Sequence, residues 1–171
     1  VFHPVTSEAA KMSSQARSLF DTLNSSGRNF VIIAPNNDPG SDDIFSVIDA
    51  LPKDRFRVLP SMRFAHFSEL MKNASAIIGN SSVGVREAPF IGLPSLDIGS
   101  RQTNRAKSSS IFFADAAEVN KINIFLSTQW GRRFDSDDGF GGGRAARRFA
   151  DVICNEDFWA GSLQKTFHDA N

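Results

Sequence analysis

The sequence has one cysteine, no tyrosine, no excess of either charge and no long apolar run. Each shortage excludes something. A single thiol, Cys154, builds neither an internal disulfide framework nor a cysteine-based zinc cluster, and it fits a reducing compartment. Lys+Arg and Asp+Glu stand at 19 each, for a net charge of zero. Proteins that bind nucleic acid by neutralising many phosphates carry a basic excess, so no nucleic-acid partner is expected. No apolar stretch approaches the roughly 20 residues of a membrane span, and no signal-peptide pattern opens the chain. The expectation is a cytoplasmic protein with no membrane partner. The phosphate-binding pattern Gly-x-x-x-x-Gly-Lys-Ser/Thr is missing. The three histidines, His3, His66 and His168, have no ligand spacing among them, so no metal is expected.

What is present is ordinary globular composition: 171 residues, 41% of them hydrophobic. That length predicts one domain, residues 1–171, with a sizeable core. Val1-Phe2-His3-Pro4 reads as the tail of a strand entering a loop, without an initiator Met, and predicts a fragment of a longer protein.

Beyond it the pattern alternates. Ser7 is placed to cap a helix carrying Ala10, Ala16, Leu19, Phe20 and Leu23 at helical spacing. Phe30 to Ala34 is an uninterrupted apolar run, as a strand buried on both faces requires. Ser41 is placed to cap a helix through Ile44, Val47, Ile48 and Leu51. Strands are predicted at Phe56–Leu59, Ala76–Gly79, Pro94–Ile98 and Ile111–Phe113. Helices are predicted around Phe64–Met71, Ser82–Phe90 and Ala116–Leu126. Trp130–Gly143 is a Gly/Asp/Arg-rich break, after which Ala145, Phe149, Val152 and Ile153 share a helical face. Strands alternating with helices imply right-handed crossovers and a parallel sheet sandwiched by helices, a Rossmann-like α/β fold.

In such sheets ligands bind beyond the carboxyl ends of the strands. There Gly79-Asn80-Ser81-Ser82 leads into a helix whose first N–H groups favour an anion. Ser81 and Ser82 suit a diphosphate, and Glu87 suits paired hydroxyls such as those of a ribose. The plainer alternative is a helix cap and a solvated charge. Arg101, one turn beyond a strand, suits bidentate contact with phosphate oxygens, or is a surface arginine. His3 has a side chain that titrates near neutral pH, for proton donation or phosphate contact, or is structural. Gly139-Phe140-Gly141-Gly142-Gly143 follows no apolar strand, so a dinucleotide fingerprint is rejected and no nicotinamide cofactor is expected.

Four segments occur in order: His3-Pro4-Val5-Thr6; Pro35-Asn36-Asn37-Asp38-Pro39-Gly40-Ser41; Ile78 through Pro89; and Gly92 through Arg105. Together they resemble the C-terminal domain of the hydrolysing UDP-N-acetylglucosamine 2-epimerases over essentially the whole chain. The resemblance implies the C-terminal half of a GT-B fold, with the protein's own N-terminal domain as partner and a homo-oligomer in the full-length protein. It implies elimination of UDP across C1–C2 of the sugar, then addition of water at C1 of the 2-acetamidoglucal, giving N-acetylmannosamine and UDP. His3 would help the UDP depart, and Ser81, Ser82 and Arg101 would hold phosphate. Glu87 would hold the ribose, while Asn36 and the backbone around Met62 would line the nucleotide pocket. Non-hydrolysing bacterial relatives show His-Arg-Arg-Glu-Asn at the His3 loop and Asp-Ser-Gly-Gly at the serine turn. One departure stands out: the family's Tyr-Gly-Asp-Gly loop is Phe140-Gly141-Gly142-Gly143 here. Two substrates fit, UDP-N-acetylglucosamine and a UDP-2,4-diacetamido-trideoxy sugar. A GT-B glycosyltransferase and a non-catalytic UDP-sugar binding module are the alternatives.

Overall fold

The computed structural model describes residues 1–161 and 164, so His168 lies outside the described residues. The chain divides into a unit from Val1 to Asp137 and a second from Asp138 onward.

In the first unit a 3-10 turn, Thr6–Lys11, runs into α1 (Met12–Ser25), followed by β1 (Phe30–Ile33) and α2 (Ser41–Asp49). Next come β2 (Phe56–Leu59), α3 (Phe64–Asn73), β3 (Ile77–Gly79), α4 (Val83–Phe90), β4 (Ser95–Ile98), β5 (Ile111–Ala114) and α5 (Val119–Thr128). All pairings are parallel: β1 with β2, and β3-β4-β5 in that order. The fold is the Rossmann-like α/β class that the alternation predicts. Val1 and Phe2 run beside β3. The Val1 amine donates to the Ile78 carbonyl at 2.9 Å, and the Asn80 N–H donates to the Val1 carbonyl at 3.1 Å. This is the spacing of a parallel ladder, and it carries the chain from the sheet directly into the His3 loop.

Leu96 and Ile98 on β4 join Leu19, Phe20, Ile44, Ile48, Ile122 and Phe125 in the main core. Alternation sends Ser95 and Asp97 to the opposite face, where a Cβ on Gly84 of α4 would stand 2.8 Å from the Ser95 hydroxyl. The expectation that β1 is buried on both faces does not hold. Ile32 is 5% exposed and sits in the main core, but Val31, on the opposite face of the strand, is 41% exposed.

Two helix starts also differ from expectation. Ser7 is not a cap: the chain turns first through the 3-10 segment after Val5, and Glu8 bonds to Gln15 and Ser100. Ser41 is the buried first residue of α2, and Gly40 takes the cap position at φ 96°. A side chain on Gly40 would lie 2.8 Å from Met12, so glycine serves both conformation and packing there. Similarly α5 begins at Val119 rather than Ala116. Asp115 and Glu118 side chains take the Ala117 and Asp115 N–H groups, building a local turn that competes with helix.

The second unit holds α6 (Ala145–Ile153) and α7 (Glu156–Trp159). The Asn155 side chain caps α7 by accepting from the Asp157 N–H, and the Trp159 indole donates to the Ile153 carbonyl at 2.7 Å. Among the described residues no helix is long and apolar enough to cross a membrane.

Candidate functional site

Parallel pairing places every strand-to-helix loop of a sheet at its carboxyl end, and in the first unit the loops after β1, β3 and β4 meet around His3. β3 delivers Gly79 in a φ of 135°, a backbone conformation open to glycine and rarely to others. The chain turns there into Asn80, which is 1% exposed. Its side-chain Oδ1 accepts from the His3 N–H at 2.7 Å and its Nδ2 donates to the His3 carbonyl at 2.8 Å. The Asn80 carbonyl accepts from Gln102 Nε2 at 2.9 Å and from an Arg101 guanidinium N–H at 3.4 Å. Gln102 is itself 2% exposed, and its Oε1 accepts from Arg105.

The His3 ring is oriented from the other side. The Asn36 N–H, in the loop after β1, donates to His3 Nδ1 at 3.2 Å. Burial and then the Arg101 charge lower the imidazole from its usual 6.5 to about 4. His3 is therefore neutral near pH 7, contrary to the expectation of a group titrating there. With Nδ1 accepting, the ring proton sits on Nε2, leaving an N–H donor for a ligand.

Ser82 is the N-cap residue of α4 without a side-chain cap bond, and the Ser81 carbonyl accepts from the Gly84 N–H. The helix thus begins at the serines as expected, and its first amides lie at the positive end of its dipole. Glu87 lies about one turn further, half-buried, with Oε2 buried and without a hydrogen-bond partner among the described residues. Met62 is half-buried in the loop after β2. So His3, Asn36, Arg101 and the Ser81-Ser82 turn are joined through Asn80. Glu87 and Met62 are placed by their elements and make no hydrogen bond to that cluster among the described residues. Glu8 adds a brace: its carboxylate accepts from Ser100 at 2.6 Å and from Gln15 at 2.8 Å, and these bonds hold it below its usual range.

Sequence reasoning gave Asn80 and Gln102 no role. Both stand inside the segments that carry the family resemblance, but the geometry that engages them joins residues 77 and 22 positions apart. The nearest signal was an amide directly after a strand-ending glycine.

Against this geometry, residues 1–154 match the family described as UDP-N-acetylglucosamine 2-epimerase. The chain belongs to that family. The UDP-N-acetylglucosamine 2-epimerase of Neisseria meningitidis serogroup B is 41% identical over 174 residues, covering 100% of this chain and 46% of that protein. A Legionella pneumophila relative, a UDP-N,N'-diacetylbacillosamine 2-epimerase (hydrolyzing), is 27% identical over 116 residues, covering 67% of this chain and 31% of its own. The chain thus spans less than half the length of these epimerase relatives. Among solved structures, the Methanocaldococcus jannaschii UDP-GlcNAc 2-epimerase in complex with UDP-GlcNAc and UDP superposes with a TM-score of 0.70. It covers 90% of this chain and 44% of that one at 13% identity, a likeness of fold.

Proposed function

We propose that this chain is the UDP-binding, C-terminal GT-B half of a hydrolysing UDP-N-acetylglucosamine 2-epimerase serving sialic-acid-type sugar synthesis. The observation that carries the reading is the convergence of a neutral imidazole, an arginine and a serine-led helix start at one carboxyl end of a parallel sheet. Phosphate oxygens on the Ser81-Ser82 turn meet the α4 amides, and Arg101 adds charge. Glu87, one turn along, is the residue whose carboxylate takes the ribose hydroxyls. His3 donates from Nε2 to the diphosphate as the C1–O bond breaks and a proton leaves C2. Water then adds its hydroxyl at C1 and a proton returns to C2, releasing N-acetylmannosamine and UDP. The carboxylates that move these protons belong to the N-terminal domain of the longer polypeptide.

The hydrolysing form is supported by His3-Pro4-Val5-Thr6 and Gly79-Asn80-Ser81-Ser82, and by the Legionella relative, whose name carries that mechanism. That relative also keeps a UDP-2,4-diacetamido-trideoxy sugar as the second substrate reading. The test is NMR analysis of products after incubating the full-length polypeptide with UDP-N-acetylglucosamine. Free N-acetylmannosamine with UDP is expected, whereas UDP-N-acetylmannosamine as product would overturn the hydrolysing reading.

Two predictions follow from the site. Arg101→Ala and Glu87→Ala should each weaken UDP binding about tenfold by calorimetry, as for hydrogen bonds to charged groups. Parent-like affinity in both would remove the site assignment. UDP should also raise the His3 titration above its unliganded position near pH 4, because a nearby anion favours the imidazolium. An unchanged titration in saturated complex would place the diphosphate elsewhere.

A further inference from the structure

The side-chain amide of Asn80 does for His3 what a neighbouring strand does for a residue in a sheet: it accepts from the backbone N–H and donates to the backbone C=O of one residue. The other polar groups of Asn80 are engaged as well, its N–H by the Val1 carbonyl and its C=O by Gln102 and Arg101. At 1% exposure, Asn80 is out of reach of a ligand. The three groups it holds are those that carry the chemistry: His3, the Arg101 loop and, next along the chain, Ser81.

We propose that Asn80 is a positioning residue, fixing the His3 loop relative to Arg101 and the serine turn, with Gln102 locking its carbonyl from behind. The reach is specific to this side chain. Aspartate accepts from the His3 N–H but, ionised, does not donate to its carbonyl. Serine is too short to bridge both groups, and glutamine carries an extra methylene in a fully packed position. Asn80 therefore sets where the Nε2–H of His3 points, by holding the backbone while the Asn36 N–H holds the ring.

This inference rests on the UDP-binding reading for its ligand, but its test has a part that does not. Asn80→Ala and Asn80→Ser, both neutral, are compared with Ile122→Val, a conservative core change on α5, in the 171-residue chain. Imidazole NMR titration and UDP calorimetry are the readouts. In the Asn80 variants the His3 titration should move from about 4 toward 6.5, as a released ring regains solvent. UDP affinity should fall about tenfold or more, since the two hydrogen bonds that hold the His3 backbone are lost. Ile122→Val should change neither. A folded Asn80 variant with parent-like titration and affinity overturns the proposal. Hydrogen exchange on the unaltered chain does not depend on variants folding. The His3 amide should be protected about a hundredfold or more, and exchange at the rate of an open loop overturns the proposal. If the parent fails to bind UDP, the proposed function fails, while titration and exchange still decide the role of Asn80.

Discussion

Gly79→Ala should cost about 3 kcal/mol or more of stability in urea denaturation, enough to unfold much of a marginal chain at physiological temperature. Two effects add. The φ of 135° excludes most L side chains, and a Cβ would stand 1.8 Å from the Val1 carbonyl oxygen, which is backbone and cannot swing away. Gly79 is also pinned opposite Asp97 in the β3–β4 register, so the strand has no slack in which to shift. Gly99→Ala is the internal control. Its φ is 79°, yet nothing lies within 4 Å of the added carbon, so strain alone applies and a loss of about 1 kcal/mol is expected. Equal midpoints for the two variants would mean that Val1 does not pack against the Gly79 turn.

Replacing Asp97 by asparagine should do the opposite and stabilise the protein. Asp97 is 2% exposed, and among the described residues neither carboxylate oxygen has a hydrogen-bond partner. Burial raises its pKa from 3.8 to about 6. Between those values the folded chain holds a proton that the unfolded chain releases, so the contribution of this group to stability is fully present below pH 3.8 and is lost as pH rises through 6. At pH 7 an uncompensated buried carboxylate remains, and Asp97→Asn should gain about 2–3 kcal/mol there. The gain should disappear below about pH 4, where the parent is protonated too. His3 pulls the other way. Its pKa is lower in the folded chain than the ordinary 6.5, so its contribution falls as the pH drops from 6.5 through 4. In the parent the two slopes oppose each other across the same window. Removing Asp97 exposes the His3 slope, and Asp97→Asn should lose stability more steeply on acidification than the parent. A parent-like pH–stability curve in Asp97→Asn would show that the carboxylate finds partners in solution.

The elements were legible wherever the signal was local. Phe56–Leu59 is the same four residues by apolar run and by structure, and Phe64–Met71 lies within α3. Helix starts were less legible, because Ser7 and Ser41 have the right chemistry at positions the backbone uses differently. A left-handed glycine capped one helix and a 3-10 turn preceded the other. Of the site, the residue types and loops could be read, while their state could not. Nothing near His3 in sequence reports that Arg101 and burial keep its ring neutral. Nor does the sequence around Asn80 say that its amide faces a residue near the start of the chain.

That last contact sets an order of events in folding. The bonds that build the site join His3 to Asn80 across 77 positions and Glu8 to Ser100 across 92. Contacts so distant in sequence carry a large loop-closure cost, which makes them late and slow compared with helix α1 or the β1–β2 pairing. Ligand competence should therefore arrive with the other long-range contacts of the unit, such as Ser18 to Ala116 across 98 positions, and not with its local elements. A pulse of UDP during refolding should find its site only after most of the sheet has formed.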